Sequence, residues 1–146
     1  MSMSNASETA LLNLLFNNTD WANVGDAAGL QNSAAAGSFY VALHTADPTD
    51  AGKQTTSEAS YTGYARVAVA RTVAGWTVSG NQVSNAATVQ FGECTAGSAT
   101  VTHFSVGLLA SGAGDILYSG ALSASRAVSA GITPLFNPAT LVGTVD

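Results

Sequence analysis

The chain has 146 residues, a formal net charge of −5 and a charged fraction of only 9%. Because a typical soluble domain has roughly 25% charged residues, this deficit excludes coiled coils, ion-paired helical bundles and acidic disordered tails. Its four basic residues are too few to follow a phosphate backbone, so we expect no nucleic-acid partner.

The chain length predicts a single domain with a short N-terminal arm. No apolar run approaches the ~20 residues that span a bilayer, and the N-terminus lacks the basic region of a secretory signal. We therefore expect no membrane partner. A single cysteine, Cys94, excludes an internal disulfide and a multi-cysteine zinc site, which favours synthesis in a reducing cytoplasm.

The N-terminal segment predicts one amphipathic helix from Ala6 to Asn17. Asn5 and Glu8 have the spacing of a capping box, and Asn18 suits the left-handed conformation that closes a helix. The helix has two apolar stripes, which are Leu11, Leu14 and Leu15, and Leu12 with Phe16. We place residues 1–21 in this arm.

After residue 37 the apolar residues alternate, which is typical of half-buried strands. Residues 46–63 are rich in Ser and Thr and predict a long exposed loop. Ser79-Gly80-Asn81 predicts a hairpin turn. The strand candidates are residues 38–45, 64–71, two runs on either side of this turn within 76–86, 87–92, 99–109, 116–122 and two or three short segments from residue 126 on.

About eight strands without alternating helices predict an all-β fold for residues 22–146. Our first choice is a jelly-roll-like antiparallel β-sandwich, and an immunoglobulin-like sandwich is the alternative. The N-terminal helix would then accompany a single sandwich domain.

The residues with catalytic or metal-binding potential are scattered. His44 and His103 invite a serine-hydrolase hypothesis, but no nucleophile-elbow motif accompanies them. Asp47, Asp50 and Glu58 invite a calcium hypothesis, but their spacing is typical of a solvated turn. We therefore predict no catalytic residue, no cofactor, no metal and no enzymatic activity.

The weakly charged surface suits dense packing against other subunits. Trp76 is assigned to the core, whereas Tyr61 and Tyr64 lie at the end of the long loop, where they could contact a partner or a glycan. The residues predicted to form an interface are Leu11, Leu14, Leu15, Phe16, Trp21, Asp47, Asp50, Tyr61 and Tyr64.

Three long stretches, residues 4–18, 40–71 and 99–122, carry a family resemblance. They include the strings LHTADP and TVTHFSVG and the block Glu58, Tyr61, Gly63, Tyr64 and Arg66. The chain resembles small virion proteins of tailed bacteriophages, which are variously labelled tail-fibre or uncharacterised structural proteins. Its size and predicted fold are also similar to those of capsid cement proteins, which in some phages clamp major-capsid subunits.

This resemblance implies a non-enzymatic virion structural protein made in the bacterial host cytoplasm. We favour a cement protein on the head surface that binds the major capsid protein as a homo-oligomer, because a fibre shaft usually shows repeats or heptads. The alternative is a tail-fibre or tail-associated module that recognises a receptor or glycan. A small hydrolase using His44 or His103 is the third hypothesis.

Overall fold

A computed structural model describes residues 2–145, which contain one helix and nine strands. The elements are α1 (Asn5–Asn17), β1 (Ser38–His44), β2 (Val67–Ala70), β3 (Trp76–Ser79), β4 (Gln82–Asn85), β5 (Val89–Gln90), β6 (Ser98–Gly107), β7 (Ile116–Ser129), β8 (Leu135–Phe136) and β9 (Val142–Thr144). They form three sheets, with strand orders β2-β1-β6-β7, β3-β4-β9 and β5-β8.

The prediction of an all-β, sandwich-like fold with an N-terminal helix is confirmed. The pairings of β1 with β6, β6 with β7, β3 with β4 and β4 with β9 are all antiparallel. The largest difference in length is at β7, which continues seven residues past the predicted end at residue 122, to Ser129. The small residues after 122 gave no apolar alternation from which this continuation could be predicted.

The chain divides into two compact units. One contains the residues up to Ser38, Ala70–Thr88 and the residues from Phe136 on, and it includes α1, β3, β4 and β9. The other contains Phe39–Val69 and Val89–Leu135, and it includes β6, β7 and nearly all of β1. The predicted division into an arm of residues 1–21 and a sandwich of residues 22–146 stays a prediction.

The predicted N-terminal cap of α1 was wrong, whereas the predicted C-terminal cap is confirmed. The N-cap is Ser4, not Asn5, because Ser4 keeps an extended backbone and its side chain accepts a hydrogen bond from the Ser7 N–H at 3.3 Å. Asn5 is already helical. At the other end Asn18 adopts the left-handed conformation, with φ of 52°, as predicted.

Helix α1 packs against strands β3 and β4 through the apolar stripe formed by Leu12 and Phe16. Leu12 and Phe16 are buried, and the Phe16 ring meets the Trp76 ring edge to face, with centroids 4.9 Å apart. Leu11, Leu14 and Leu15 are only half-buried. The assignment of Trp76 to the core is confirmed.

Arg71 holds the C-terminal end of α1, which has no basic residue in its own last turn. Its guanidinium donates to the carbonyl of Leu14 at 2.8 Å and to that of Leu15, and also to the Ala36 carbonyl at 3.1 Å. A cation at this end satisfies otherwise unpaired carbonyls and opposes the negative end of the helix dipole. Arg71 therefore ties the helix to the segment that precedes β1.

The β3–β4 hairpin forms where predicted, with Gly80 in the turn at φ of 61°. Asn85 at its end is 1% exposed. Its amide donates to the carbonyls of Ala87 and Asn137, and its Oδ1 accepts from the backbone N–H groups of Thr140 and Leu141, all at 2.8–3.1 Å. One side chain thus fixes the segment that leads into β9.

Strand β1 differs from the half-buried strand that its alternating residues predicted. Val41, Ala42, Leu43 and His44 are all buried in succession. β1 is a central strand, with β2 on one side and β6 on the other. Since consecutive residues of a strand point to opposite faces, this run of buried residues shows that both faces of β1 are covered.

We predict that Asn85→Ala lowers the free energy of unfolding by about 3 kcal/mol, because it leaves buried backbone groups without partners. Gln82→Ala, on the exposed side of the same strand, is the matched control and should change the free energy by less than about 0.5 kcal/mol. Urea unfolding followed by tryptophan fluorescence measures both. Equal effects of the two variants would contradict the role assigned to Asn85.

Candidate functional site

The densest cluster of polar side chains lies in the second unit, around the segment from Lys53 to Arg66. Its centre is a forked ion pair, in which Arg66 Nε and Nη2 each lie 2.7 Å from a different carboxylate oxygen of Glu58. The Arg66 side chain is 3% exposed and that of Glu58 17%. We call this pair the Glu58–Arg66 clamp.

The clamp extends to the turn between β6 and β7. Arg66 donates from Nη1 to the Leu109 carbonyl at 2.9 Å and from Nη2 to the Gly112 carbonyl at 2.8 Å. Its hydrogen bonds to Glu58 raise the pKa of Arg66, so its charge is fixed at any pH a protein tolerates. The guanidinium therefore joins the long loop to this turn.

Tyr64 completes the cluster. Its hydroxyl donates to Glu58 Oε1 at 2.9 Å and accepts from the Leu43 N–H at 3.1 Å. Burial is the main cause that raises the pKa of Tyr64, so the phenol stays neutral. All three side chains of the cluster have hydrogen-bonding partners inside the chain.

Gln54 makes a second connection to the same turn. It is fully buried, its backbone N–H donates to the Gly114 carbonyl at 2.9 Å, and its Oε1 accepts from the Leu109 N–H at 2.9 Å. The space it occupies requires glycine at position 107, because a Cβ there would lie 2.3 Å from Gln54 Cδ. The burial of Gln54 could not be predicted, since an isolated Gln in a polar segment carries no signal of burial in the sequence.

The prediction that residues 46–63 form an exposed loop is therefore only half right. The segment has no strand, but Pro48, Gln54, Ala59 and Tyr61 are buried in it. Ala59 donates its N–H to the Leu43 carbonyl at 2.8 Å, and the Tyr61 hydroxyl donates to the Gly92 carbonyl at 3.1 Å. The first bond reaches β1 and the second reaches the segment that follows β5, and together they order the loop, which its polar composition did not predict.

His44 and Ser105 form a buried pair. His44 Nε2 lies 2.8 Å from Ser105 Oγ, and His44 Nδ1 lies 2.8 Å from the Thr56 carbonyl oxygen. Since a carbonyl only accepts, Nδ1 carries the proton and Nε2 accepts from the serine hydroxyl. Burial lowers the pKa of His44, although the Thr56 carbonyl and Glu58 act in the opposite direction.

This pair offers no support to the hydrolase hypothesis. Both residues have zero exposure, so a substrate cannot reach the serine, and Nδ1 faces a carbonyl where a triad has a carboxylate. His103 is half-buried, with Nδ1 2.9 Å from Thr102 Oγ1. The geometry indicates that His44 joins β1, β6 and the long loop.

The residues of the calcium hypothesis do not meet in one site. Asp47 is exposed and accepts from the Thr49 N–H at 2.8 Å, while Glu58 is bound to Arg66. Within residues 2–145 no three His, Cys, Asp or Glu side chains are grouped as metal ligands.

Cys94 is buried, with its sulfur 3.4 Å from the Ala96 carbonyl oxygen. No helix within residues 2–145 is long and apolar enough to cross a membrane.

The predicted interface residues fall into three classes of burial. Phe16 and Tyr61 are buried within the chain. Leu11, Leu14, Leu15, Trp21 and Tyr64 are half-buried, and Asp47 and Asp50 are exposed. Whether the accessible members bind a partner stays a prediction.

Loss of the clamp should destabilise the fold. Arg66→Met leaves the Glu58 carboxylate without its ion partner, and we predict a loss of about 3–5 kcal/mol in the free energy of unfolding. Arg66→Lys keeps the charge but not the forked geometry and should lose less. Denaturant titration measures both variants.

The control is Lys53→Met, which removes an ion pair with Asp115 whose side chains are 54% and 64% exposed. An exposed pair contributes less than about 1 kcal/mol. A loss from Lys53→Met as large as that from Arg66→Met would contradict the clamp.

Acidification should weaken the fold through His44. Because its pKa is lowered from 6.5 in the folded chain, the unfolded chain binds a proton more readily below that pH. The contribution of His44 to the free energy of unfolding is fully present above pH 6.5. It declines as the pH falls toward the pKa of His44 in the folded chain. We predict that unfolding free energies measured from pH 8 to pH 5 fall more steeply for the parent chain than for His44→Asn. Parallel curves of unfolding free energy against pH for the two proteins would contradict this prediction. His103→Asn is the control, because it removes the other histidine of the chain.

Comparison with known proteins supplies a family. Residues 2–144 match the family model described as podophage GP4 fiber I protein gp80. No curated protein matches the chain. The match confirms that the resemblance to phage virion proteins identified the right class of protein. Because it covers nearly the whole length, the chain belongs to this family of phage structural proteins.

Proposed function

We propose that this chain is a structural component of the phage tail fibre. The observation that carries the proposal is the family match over residues 2–144, since the family description names a fibre. The polar side chains of the second unit support a structural role, because the clamp, Gln54 and His44 all form hydrogen bonds with other residues of the same chain. None of these side chains is part of an exposed pair that could react with a substrate.

The capsid-cement hypothesis, which the sequence analysis favoured, has less support than its alternative. It depended on the size and predicted fold of the chain and on the absence of heptads and repeats, and that absence argues only against a long fibre shaft. A globular module attached to a fibre needs neither. The head-surface location and the major capsid protein as partner remain predictions without an observation behind them.

Recognition of a glycan by the predicted aromatic residues is not supported either. It required exposed rings, but Tyr61 is only 4% exposed. Tyr64 is half-buried with its hydroxyl bound to Glu58. We therefore limit the proposal to a building block of the fibre and assign no receptor to it.

The experiment is to disrupt purified virions, separate heads from tails on a gradient and quantify this chain in each fraction by mass spectrometry. We expect it to follow the tail proteins. The major capsid protein and the tail-tube protein are the controls for clean separation. Recovery only with heads would support the cement hypothesis instead, and absence from complete virions would contradict any structural role in the particle.

A further inference from the structure

Residues 18–33, which follow α1, form a closed loop that we call the Trp21 lobe. Trp21 and Leu30 form an isolated antiparallel bridge, in which two backbone hydrogen bonds of 2.9 Å join them. At the base of the lobe the Asn18 side chain accepts from the Ser33 N–H at 2.9 Å and donates to the Ser33 carbonyl at 2.9 Å. Hydrogen bonds therefore hold the two ends of the lobe together.

The tip of the lobe is also fixed. Asp26 Oδ1 accepts from the N–H groups of Ala28 and Gly29 at 2.9 and 3.0 Å. Gly29 has a φ of 70°, and a Cβ at this position would lie 2.1 Å from the Trp21 carbonyl oxygen, so the turn requires glycine. Since the backbone of the lobe is already ordered, a partner that binds it would lose little free energy to ordering.

The Trp21 lobe exposes large apolar side chains. None of residues 19–35 is buried, and Trp21 is half-buried. Val24 is 37% exposed and Leu30 44%. Residues directly opposite each other in an antiparallel pair have their side chains on the same face, so Trp21 and Leu30 project together. A tryptophan beside aliphatic side chains is typical of the anchors that supply most of the free energy of protein–protein binding.

The charge of the lobe indicates the chemistry of its partner. Asp20 and Asp26 are both exposed, and the chain has no basic residue before Lys53. A partner that covers the lobe therefore has to bring cations to these carboxylates, because a desolvated carboxylate without an opposite charge is costly. An apolar pocket bordered by lysine or arginine side chains meets both requirements.

A second copy of this chain cannot supply such a border. Arg66 and Arg71 donate to groups of their own chain, and Lys53 is paired with Asp115. Of the four basic side chains, only Arg126 is then left to meet two carboxylates. The charge pattern therefore favours a different protein.

We propose that the Trp21 lobe is a docking element, which inserts Trp21, Val24 and Leu30 into an apolar pocket of a different virion protein whose border is basic. The proposal rests on the proposed function only in placing that protein in the virion. The three apolar side chains form the centre of the contact, and Asp20 and Asp26 form its polar rim.

The first experiment compares the oxidation of tryptophan side chains by hydroxyl radicals in the free chain and in purified virions. Trp21 should be oxidised at least about tenfold more slowly in virions, because the centre of an interface excludes water. Trp76, which is 2% exposed, is the internal control and should be oxidised slowly in both samples.

The outcomes of this experiment separate the docking proposal from the proposed function. If virions contain the chain and Trp21 is oxidised as fast as in the free chain, docking is overturned and the fibre proposal stands. If virions lack the chain, both are overturned. If Trp21 is already protected in the free chain, copies of the chain cover the lobe, and the docking proposal is wrong.

The second experiment measures how much of each variant enters virions when it complements a phage that lacks this chain. Trp21→Ala should lower the amount per virion by at least about tenfold. Val73→Ala is the matched control, at a side chain that is 76% exposed and lies outside the lobe. Incorporation of Trp21→Ala at the parent level would overturn the proposal.

A pair of substitutions at the exposed Ala27 tests the basic border without removing a hydrogen bond of the lobe. Ala27→Lys should lower incorporation, whereas Ala27→Glu should not, because the added charges meet cations. Both should keep the urea midpoint of the parent chain, since the lobe has no buried residue. Loss of incorporation with Ala27→Glu but not with Ala27→Lys, or equal incorporation of the two, would overturn the basic border.

The third experiment identifies what covers the lobe. A photoreactive benzoylphenylalanine in place of Val24 is irradiated in virions, and the cross-linked peptides are identified by mass spectrometry. We expect a cross-link to a different virion protein, at a peptide that contains lysine or arginine. Cross-links only to a second copy of this chain, or to no protein at all, would overturn the proposal.

Discussion

A few buried or half-buried polar side chains hold in place the segments of this protein that lie outside the strands. The clamp and Gln54 fix the long loop to the turn between β6 and β7. Arg71 fixes the end of α1, and Asn85 fixes the approach to β9. Each binds backbone groups that belong to no strand ladder, and buried backbone groups without partners would be costly. With only four basic residues in the chain, two of the three arginines serve this purpose.

Because only 9% of the residues are charged, this use of two arginines leaves few charges for the surface. Arg66 and Arg71 donate to backbone carbonyls, and Arg66 also binds one carboxylate, whereas Arg126 is exposed. What remains outside is largely Ala, Ser, Thr and Gly, a surface with little electrostatic repulsion between copies. Such a surface is compatible with close packing against other proteins of a virion, as expected for a phage structural protein.

The spacing of apolar residues and the turn residues were enough to predict α1, the β3–β4 hairpin and β6, but they did not predict the second half of β7. Periodicity did not predict burial in the 46–63 segment, since Gln54 is buried by partners that are distant in sequence. Periodicity also failed to choose between the two stripes of α1, because both have helical spacing and only the position of Trp76 decides. The motif of Glu58, Tyr64 and Arg66 was visible as a string, but its function as a clamp appears only when the loop is folded.

Amide hydrogen exchange of the 46–63 segment tests this account most directly. The backbone N–H groups of Gln54, Ala59 and Thr62 donate to carbonyls of Gly114, Leu43 and Ala96. If buried side chains order the loop, these amides exchange at rates comparable to those of β1, and Arg66→Met speeds their exchange before that of β1. Exchange of these amides at the rate of a free peptide in the parent chain would contradict the account.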